Sequence, residues 1–248
     1  MTGQTIAYLM AGAVAGGFIN GLSGTGTALF ALGFFLVVLE PVTAVAVVAL
    51  MSILSGLQGL WVVRAAIRAR PGRTLRFVIP GLIGVPFGVA LLASIDAGTL
   101  RIAIALFLII YGAWFTFRRA LPRFEKPTAA LDVAVGGIGG VLGGAASVSG
   151  ALPAMWLSIR PWAKAETRAV LQPFNIAILG TTVALLFLRG SYDATAVMAL
   201  AVAVPTGLVA AQVGIFVFHR LSDDGFRRLL IGLTLVMGIG ILAQEVLL

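Results

Sequence analysis

Charged residues are scarce in this sequence. Asp, Glu, Lys and Arg make up 10% of its 248 residues, whereas a water-soluble domain carries about 25%. So few charges could not cover the surface of a soluble globule, and the mean hydropathy is +1.09. Uncharged runs of about 20 residues, the length that crosses a bilayer as a helix, recur from end to end. The composition predicts an all-α polytopic membrane protein and excludes a small secreted scaffold or a disordered tail.

Cysteine is absent, and histidine occurs once, as His219. Without cysteine the chain has no disulfide and no thiolate metal site. His219 lies in a basic segment with no serine-rich stretch beside it, so an intramembrane hydrolase with a Ser–His pair is the least favoured class. Acidic residues fall at the ends of the apolar runs, where they do not suggest a proton relay. We therefore predict neither an enzyme nor a cofactor or metal site.

Two of the apolar runs are too long for a single membrane crossing. The runs cover residues 6–39, 42–63, 77–95, 102–117, 131–159, 169–188, 194–218 and 229–242. The first would form a straight helix of roughly 50 Å, against a hydrocarbon core of about 30 Å. Its middle, at 20–27, and that of the fifth run, at 143–150, are rich in glycine and hydroxyl side chains, which interrupt helices. These two runs are predicted to form Gly-rich broken helices or hairpins.

The order of these features repeats along the chain. A shift of 123 residues places the first break on the second and Ser52 on Asn175. A shift of 119 residues places the Val-Pro-Phe-Gly stretch at 85–88 on Val-Pro-Thr-Gly at 204–207. A glycine-rich break, a polar helix and a helix with Pro-x-Gly thus follow one another twice, which predicts two structural repeats of five segments.

The basic residues predict how these repeats lie in the membrane. If the chain reverses at each break, one side of the membrane collects all but two of the 17 basic residues, which explains the net charge of +8 without nucleic acid as a partner. They are Arg64, Arg68, Arg70, Arg73, Arg76, Arg118, Arg119, Arg123, Lys126, Arg160, Lys164, Arg168, Arg220, Arg227 and Arg228. Only Arg101 and Arg189 remain on the other side. We predict an N-terminal transmembrane repeat, 1–126, and an inverted C-terminal repeat, 127–248, with both termini in the periplasm.

A binding site is predicted where the two breaks meet. In transporters built from inverted repeats, broken helices form the substrate site near the midplane. The segments after the breaks begin with free N–H groups and the positive end of the helix dipole, which favour an anion. Glycines let it approach the backbone, and hydroxyl and amide side chains add hydrogen bonds. The predicted substrate-binding residues are Asn20, Gly21, Ser23, Gly24, Thr25, Gly26, Ser52, Ser147, Ser149, Gly150, Gln172 and Asn175.

Three stretches carry a resemblance to a known family. They read Gly-Leu-Ser-Gly-Thr-Gly at 21–26, Pro-Gly-Leu-Ile-Gly-Val-Pro-Phe-Gly at 80–88 and Gly-Gly-Val-Leu-Gly-Gly-Ala-Ala-Ser-Val-Ser-Gly at 139–150. Together they resemble the TauE/SafE family of sulfite and organosulfonate permeases over essentially the whole chain. The resemblance implies a secondary transporter of the bacterial inner membrane. Its substrate would be sulfite, sulfoacetate or a related small anion, held by the residues at the two breaks and moved by alternating access.

Two other functions stay open at this point. A passive anion channel is favoured by the lack of an obvious coupling carboxylate. A membrane scaffold that transports nothing would use the glycines only for close helix packing. The predicted partners are a small sulfur anion and the lipid bilayer, and a homodimer is the oligomer considered.

Overall fold

The computed structural model describes residues 1–116, 128–158, 160 and 162–222, together with the single positions 225, 235, 239 and 242. Within these residues the backbone forms nine helices and no strand. In chain order they are α1 (Gly3–Ser23), α2 (Thr27–Phe35), α3 (Pro41–Ala69), α4 (Pro71–Leu92), α5 (Ala97–Thr116), α6 (Ala129–Ala146), α7 (Ala151–Ser158), α8 (Lys164–Leu188) and α9 (Ala194–Arg220). The predicted repeat boundary at 126/127 lies outside the described residues, and so does the predicted segment 229–242 apart from positions 235, 239 and 242.

Six of the described helices are long and apolar enough to cross a membrane: α1, α3, α4, α6, α8 and α9. The prediction of an all-α polytopic membrane protein is confirmed. Two helices are much shorter, since α2 has 9 residues and α7 has 8. They rise about 14 Å and about 12 Å, less than half of a hydrocarbon core of about 30 Å.

Each short helix folds back on the helix before it. Gly12 of α1 lies against Phe35 near the end of α2, whereas Gly16, one turn later, lies against Thr27 at its beginning. Because the contacts run in opposite directions along the two helices, α1 and α2 are antiparallel.

The helices α6 and α7 are arranged in the same way. Gly143, near the end of α6, lies against Ser149, whereas Gly139, one turn earlier, lies against Pro153 inside α7. Two helical hairpins, α1–α2 and α6–α7, are therefore present, and in each of them a short non-helical turn joins the two helices.

The basic segment 64–76 separates the predicted apolar runs 42–63 and 77–95, and the structure shows that it is not a loop. It is helical except at Arg70, because arginine and alanine are good helix formers and α3 continues to Ala69. Pro71 then begins α4, where its fixed φ suits the first helical position. The α conformation is disfavoured before proline, and Arg70 accordingly has φ −144°. One residue thus connects two membrane helices.

The two halves of the chain interleave. The helix α1 packs against α9, α4 packs against α6, and α3 packs against α8. At the α1–α9 and α4–α6 crossings the backbones touch, since a Cβ atom added to any of several glycines would overlap the backbone of the partner helix. These glycines are Gly17, Gly21 and Gly214 at the first crossing, and Gly84, Gly88, Gly136, Gly140 and Gly144 at the second.

We predict that Gly140→Ala destabilises the protein, whereas Gly137→Ala on the same helix does not. A methyl group on Gly140 would overlap the carbonyl oxygen of Gly81, and backbone cannot yield without separating α4 from α6. At Gly137 the nearest atom outside the helix is 3.8 Å away, an ordinary contact, and alanine favours a helix over glycine by about 0.5–1 kcal/mol. Thermal unfolding in detergent measures both, and equal melting temperatures would contradict the backbone contact.

Candidate functional site

The turn between α1 and α2 is built from glycines with a left-handed backbone. Gly24, with φ +84°, ends α1, and its N–H donates to the Asn20 carbonyl oxygen at 2.8 Å. Gly26, with φ +92°, precedes α2. Residues with a side chain rarely adopt these angles, so Gly-Thr-Gly stops the first helix and starts the second. Ser23 Oγ donates to the Thr25 carbonyl oxygen at 2.7 Å and stabilises the turn.

The turn between α6 and α7 has a serine where the first has a glycine. Ser147 has φ +55°, which is uncommon for a residue with a side chain. Its Oγ donates to the carbonyl oxygen of Val45 on α3 at 3.0 Å, a tertiary contact that stabilises this conformation. Two residues later, Ser149 Oγ donates to Asn175 Oδ1 on α8 at 2.6 Å. The second turn is thus bound to both α3 and α8.

The two turns touch each other. A Cβ atom on Gly150 would overlap Thr25 Oγ1. Thr25 is buried, and this hydroxyl has no hydrogen-bond partner. The missing side chain at position 150 therefore lets the turns meet, and the beginnings of the two short helices lie side by side.

A buried arginine from α8 lies beside the first turn. Arg168 is 1% exposed. Its Nη1 donates to the Leu22 carbonyl oxygen at 3.4 Å, and its guanidinium lies 4.7 Å from the ring centre of Phe218. Its Nη2 has no hydrogen-bond partner, and no carboxylate among the described residues forms an ion pair with it. Because a buried charge without a counter-charge is costly, this guanidinium is a candidate ligand for an anion.

Gln172 lies one helical turn after Arg168 and extends the same polar surface. Arg168 Nε donates to Gln172 Oε1 at 3.4 Å, while Gln172 Nε2 has no partner. Three glycines make room for these side chains. A Cβ atom would lie 2.6 Å from Gln172 Oε1 at Gly24, 2.9 Å from Gln172 Nε2 at Gly56 and 2.7 Å from Arg168 Nη2 at Gly59.

Hydroxyl and amide groups of α1, α3 and α8 border the same region. Asn20 Nδ2 donates to the Ser52 carbonyl oxygen at 2.8 Å, which leaves Asn20 Oδ1 and Ser52 Oγ without partners. Ser55, one turn further along α3, also has an unpartnered hydroxyl. On α8, Asn175 accepts from Ser149 but leaves its Nδ2 free.

The buried polar atoms without a hydrogen-bond partner concentrate on the two turns and on the helices beside them. They include Arg168 Nη2, Gln172 Nε2, Asn175 Nδ2, Asn20 Oδ1 and the hydroxyl oxygens of Thr25, Thr27, Ser52 and Ser55. Protein interiors leave few polar atoms unpaired. Since nearly all of these atoms can donate a hydrogen bond and one belongs to a cation, the arrangement suits a ligand that is negatively charged and accepts hydrogen bonds.

The structure brings most of the predicted site residues to this region. These are Asn20, Gly24, Thr25, Ser52, Ser149, Gly150, Gln172 and Asn175. The other four have contacts of their own. Gly21 faces Ala211 of α9, and a Cβ atom there would overlap backbone. The hydroxyls of Ser23 and Ser147 bond to carbonyl oxygens, and Gly26 supplies the left-handed residue before α2.

Sequence reasoning missed Arg168. It left this residue outside the apolar runs, with Arg160 and Lys164 among the basic residues of one membrane side, but α8 begins at Lys164 and Arg168 lies buried in its second turn. The signal was the spacing of Arg168, Gln172 and Asn175. Residues three and four apart share one face of a helix, so the arginine could have been grouped with the two amides.

Two further sets of contacts lie at the ends of α8. Near its beginning, Glu166 forms ion pairs with Arg70 at 3.5 Å and Arg73 at 3.6 Å, beside a cavity of about 50 Å³. Beyond its other end, Tyr192 Oη donates to the Ala46 carbonyl oxygen at 3.0 Å. Burial raises the pKa of Tyr192, so its phenol stays protonated and remains a donor.

Comparison with known proteins identifies one family. A family model described as sulfite exporter TauE/SafE matches residues 8–241. No curated protein and no solved structure matches the chain.

We predict that cysteines replacing Thr25 and Gly150 form a disulfide under mild oxidation. A Cβ atom on Gly150 would lie 2.6 Å from Thr25 Cβ, so the turns need to separate by only about 1 Å to reach the Cβ–Cβ spacing of a disulfide, about 3.5–4.5 Å. A chain without cysteine gives no competing reaction. The matched control pairs Thr25→Cys with Gly180→Cys, because Gly180 of α8 has no atom near its Cβ position. Mass spectrometry of disulfide-linked peptides measures both. A link in the control pair, or none between positions 25 and 150, would show that the turns do not meet.

Proposed function

The chain belongs to the sulfite exporter TauE/SafE family, and we propose that it is a secondary transporter that binds a small sulfur anion between its two hairpin turns. The substrate is sulfite or an organosulfonate such as sulfoacetate. In this proposal the protein moves the anion across the bacterial inner membrane by alternating access, and several membrane helices and a buried polar site support it.

One observation carries this proposal: a buried guanidinium that lacks a counter-charge. Arg168 is 1% exposed and has no acidic partner within the described part of the chain. Removing one partner of a buried ion pair costs about 3–5 kcal/mol, because the remaining charge is left uncompensated. A bound anion would provide the missing charge, so the energy of this site favours the loaded transporter.

The groups around Arg168 would complete the binding of a sulfonate or sulfite. Such an anion offers three oxygen atoms, and Gln172 Nε2, Asn175 Nδ2 and Thr25 Oγ1 are donors without partners. The short helices α2 and α7 begin at the same place, and the first N–H groups of a helix have no partner within it. Gly150, which has no side chain, lets Thr25 and its unpaired hydroxyl lie against the beginning of α7.

The repeat relation supports a site between two inverted halves. The same shift of 123 residues relates the ends of α1 and α6, at Ser23 and Ala146, and the starts of α3 and α8. It also relates the starts of α4 and α9. The contacts follow the same shift. Gly21 touches Ala211, and the residues that the shift relates to them, Gly144 and Gly88, also touch each other. We propose that 1–126 and 127–248 are inverted repeats.

Closure on both sides favours a carrier over a passive channel. Ser149 and Gln172 are 0% exposed, so the site is shut off from solvent. We propose that the ion pairs of Glu166 with Arg70 and Arg73 close the cytoplasmic side, and that the bond from Tyr192 to α3 closes the periplasmic side. Opening one closure at a time would give alternating access. Unpaired donors also argue against a scaffold, which would need only packed glycines.

We predict that Arg168→Gln abolishes anion binding without unfolding the protein. Affinity for sulfite should fall at least ~100-fold, because the buried counter-charge is lost. The melting temperature without anion should equal or exceed that of the unchanged protein, since an uncompensated charge is removed. Arg168→Lys, which keeps the charge but loses the planar fork, should bind with intermediate affinity. Calorimetry on purified protein and counterflow in proteoliposomes measure these effects.

The matched control is Arg64→Gln. Arg64 is exposed and lies 4.1 Å from the ring centre of Trp61, away from the turns. Its loss should leave affinity and transport unchanged. Normal sulfite binding by Arg168→Gln would contradict the proposed site.

We predict that single cysteines report opposite orientations of α4 and α9 in the membrane. Arg70→Cys, between α3 and α4, and Ser222→Cys, after α9, should react with an impermeant maleimide only from the cytoplasm. Ser94→Cys, after α4, should react only from the periplasm. All three positions are exposed. Labelling of Ser94→Cys from the cytoplasm would overturn the inverted arrangement.

A further inference from the structure

We infer that the site takes a singly charged anion and discriminates against dianions. This inference rests on the proposed function and specifies its substrate class. It follows from the charges of the described residues, among which Arg168 is the buried cation beside the turns that lacks a counter-charge.

The other basic side chains near the beginning of α8 already have partners. Arg160 forms an ion pair with Asp132 at 3.3 Å. Arg70 and Arg73 share Glu166. Arg70 and Arg73 together carry one charge more than Glu166 cancels, but their side chains are 57% and 28% exposed, so water compensates that charge.

Lys164, one turn before Arg168, is the remaining cation on this stretch of α8. Its Nζ donates to the Leu221 carbonyl oxygen at 2.7 Å and lies 3.3 Å from the Phe218 carbonyl oxygen. Both carbonyls belong to the end of α9, where a cation is stabilised by the helix dipole. Among the described basic residues, Arg168 is therefore the cation that lies beside the unpaired donors.

The helix ends at the turns add little net charge. Each turn joins the carboxyl end of one helix, with a partial negative charge, to the amino end of the next, with a partial positive charge. One of the carboxyl-end carbonyls, that of Leu22, already accepts a hydrogen bond from Arg168. The two partial charges oppose each other at each turn, so the net charge at the turns is mainly that of the Arg168 guanidinium.

The second half-site supplies no further cation. The shift of 123 residues relates Arg168 and Gln172 to Val45 and Ala49 of α3, and both of these are fully buried. Where the first turn faces an arginine and an amide, the second turn therefore faces two apolar side chains. Charge is present on one side of the pseudo-symmetric site only, so a second negative charge on a ligand would have no partner.

This charge balance separates the proposed substrates. Hydrogensulfite and simple sulfonates carry one negative charge, which one guanidinium neutralises. The sulfite dianion, sulfate and sulfoacetate carry two, and the second would be buried without compensation, which is costly where water is excluded. The remaining contacts are neutral donors, which suit sulfonate oxygens but do not neutralise a further charge.

The experiment compares anions of matched size and different charge on purified protein in nanodiscs. Isethionate and sulfoacetate have similar length but one and two charges, and methanesulfonate and sulfate form a second pair. Calorimetry should give affinities at least ~10-fold higher for isethionate than for sulfoacetate, and for methanesulfonate than for sulfate. The affinity for sulfite relative to methanesulfonate should fall with rising pH as hydrogensulfite becomes the dianion.

A variant tests the charge count itself. Gln172→Glu places a carboxylate beside Arg168 and cancels the free charge, so isethionate binding should be lost by at least ~100-fold while the fold is kept. Gln172→Met removes the amide but no charge, and its affinity should fall no more than ~10-fold, the loss of one hydrogen bond.

The outcomes separate the two proposals. Equal or tighter binding of sulfoacetate and sulfate, or a sulfite ratio that does not change with pH, overturns the single-charge inference but leaves an anion site. Isethionate binding by Gln172→Glu at the affinity of Gln172→Met also overturns it. Failure of the folded protein to bind any of the five anions overturns the proposed function.

Discussion

A charged guanidinium buried in a membrane protein must be surrounded by polar groups or meet an opposite charge, and Arg168 imposes this requirement on the helices around it. The end of α1 offers it a carbonyl oxygen, and Gln172 offers it an amide oxygen. Glycines at positions 24 and 59 leave the space it fills. These contacts use only some of its N–H donors, and the remaining donors are available to an anion. The site therefore follows from one incompletely satisfied charge.

The glycine content, 31 of 248 residues, serves this arrangement in two ways. At Gly24 and Gly26 the backbone takes left-handed angles that end one helix and begin the next. At the α1–α9 and α4–α6 crossings glycines let backbones touch, so the hairpins are held by helices from the opposite half of the chain. The close packing and the irregular turns depend on each other, because short helices that do not cross the membrane need surrounding helices to shield their ends from lipid.

Much of the fold could be predicted from composition and from the length of the apolar runs. A bilayer permits few structures, and an apolar run of about 20 residues indicates a membrane-spanning helix. The breaks at 20–27 and 143–150 were visible as glycine clusters inside runs too long for one helix. The helical continuation of α3 through its arginines was not visible, since charge suggested a loop. Arg168 was missed for the same reason. Whether a basic residue ends a helix or lies inside it depends on tertiary packing, which here comes from Gly59 and Phe218, far away in the sequence.

The position of a bound sulfonate tests this account most directly. Crystals soaked with 2-bromoethanesulfonate would locate its bromine by anomalous scattering and its sulfonate by difference density. The account predicts the sulfonate in contact with the Arg168 guanidinium, beside the place where Thr25 touches Gly150. A sulfonate bound instead in the surface groove of about 370 Å³ beside Trp61 and Arg64, with the turns empty, would contradict it.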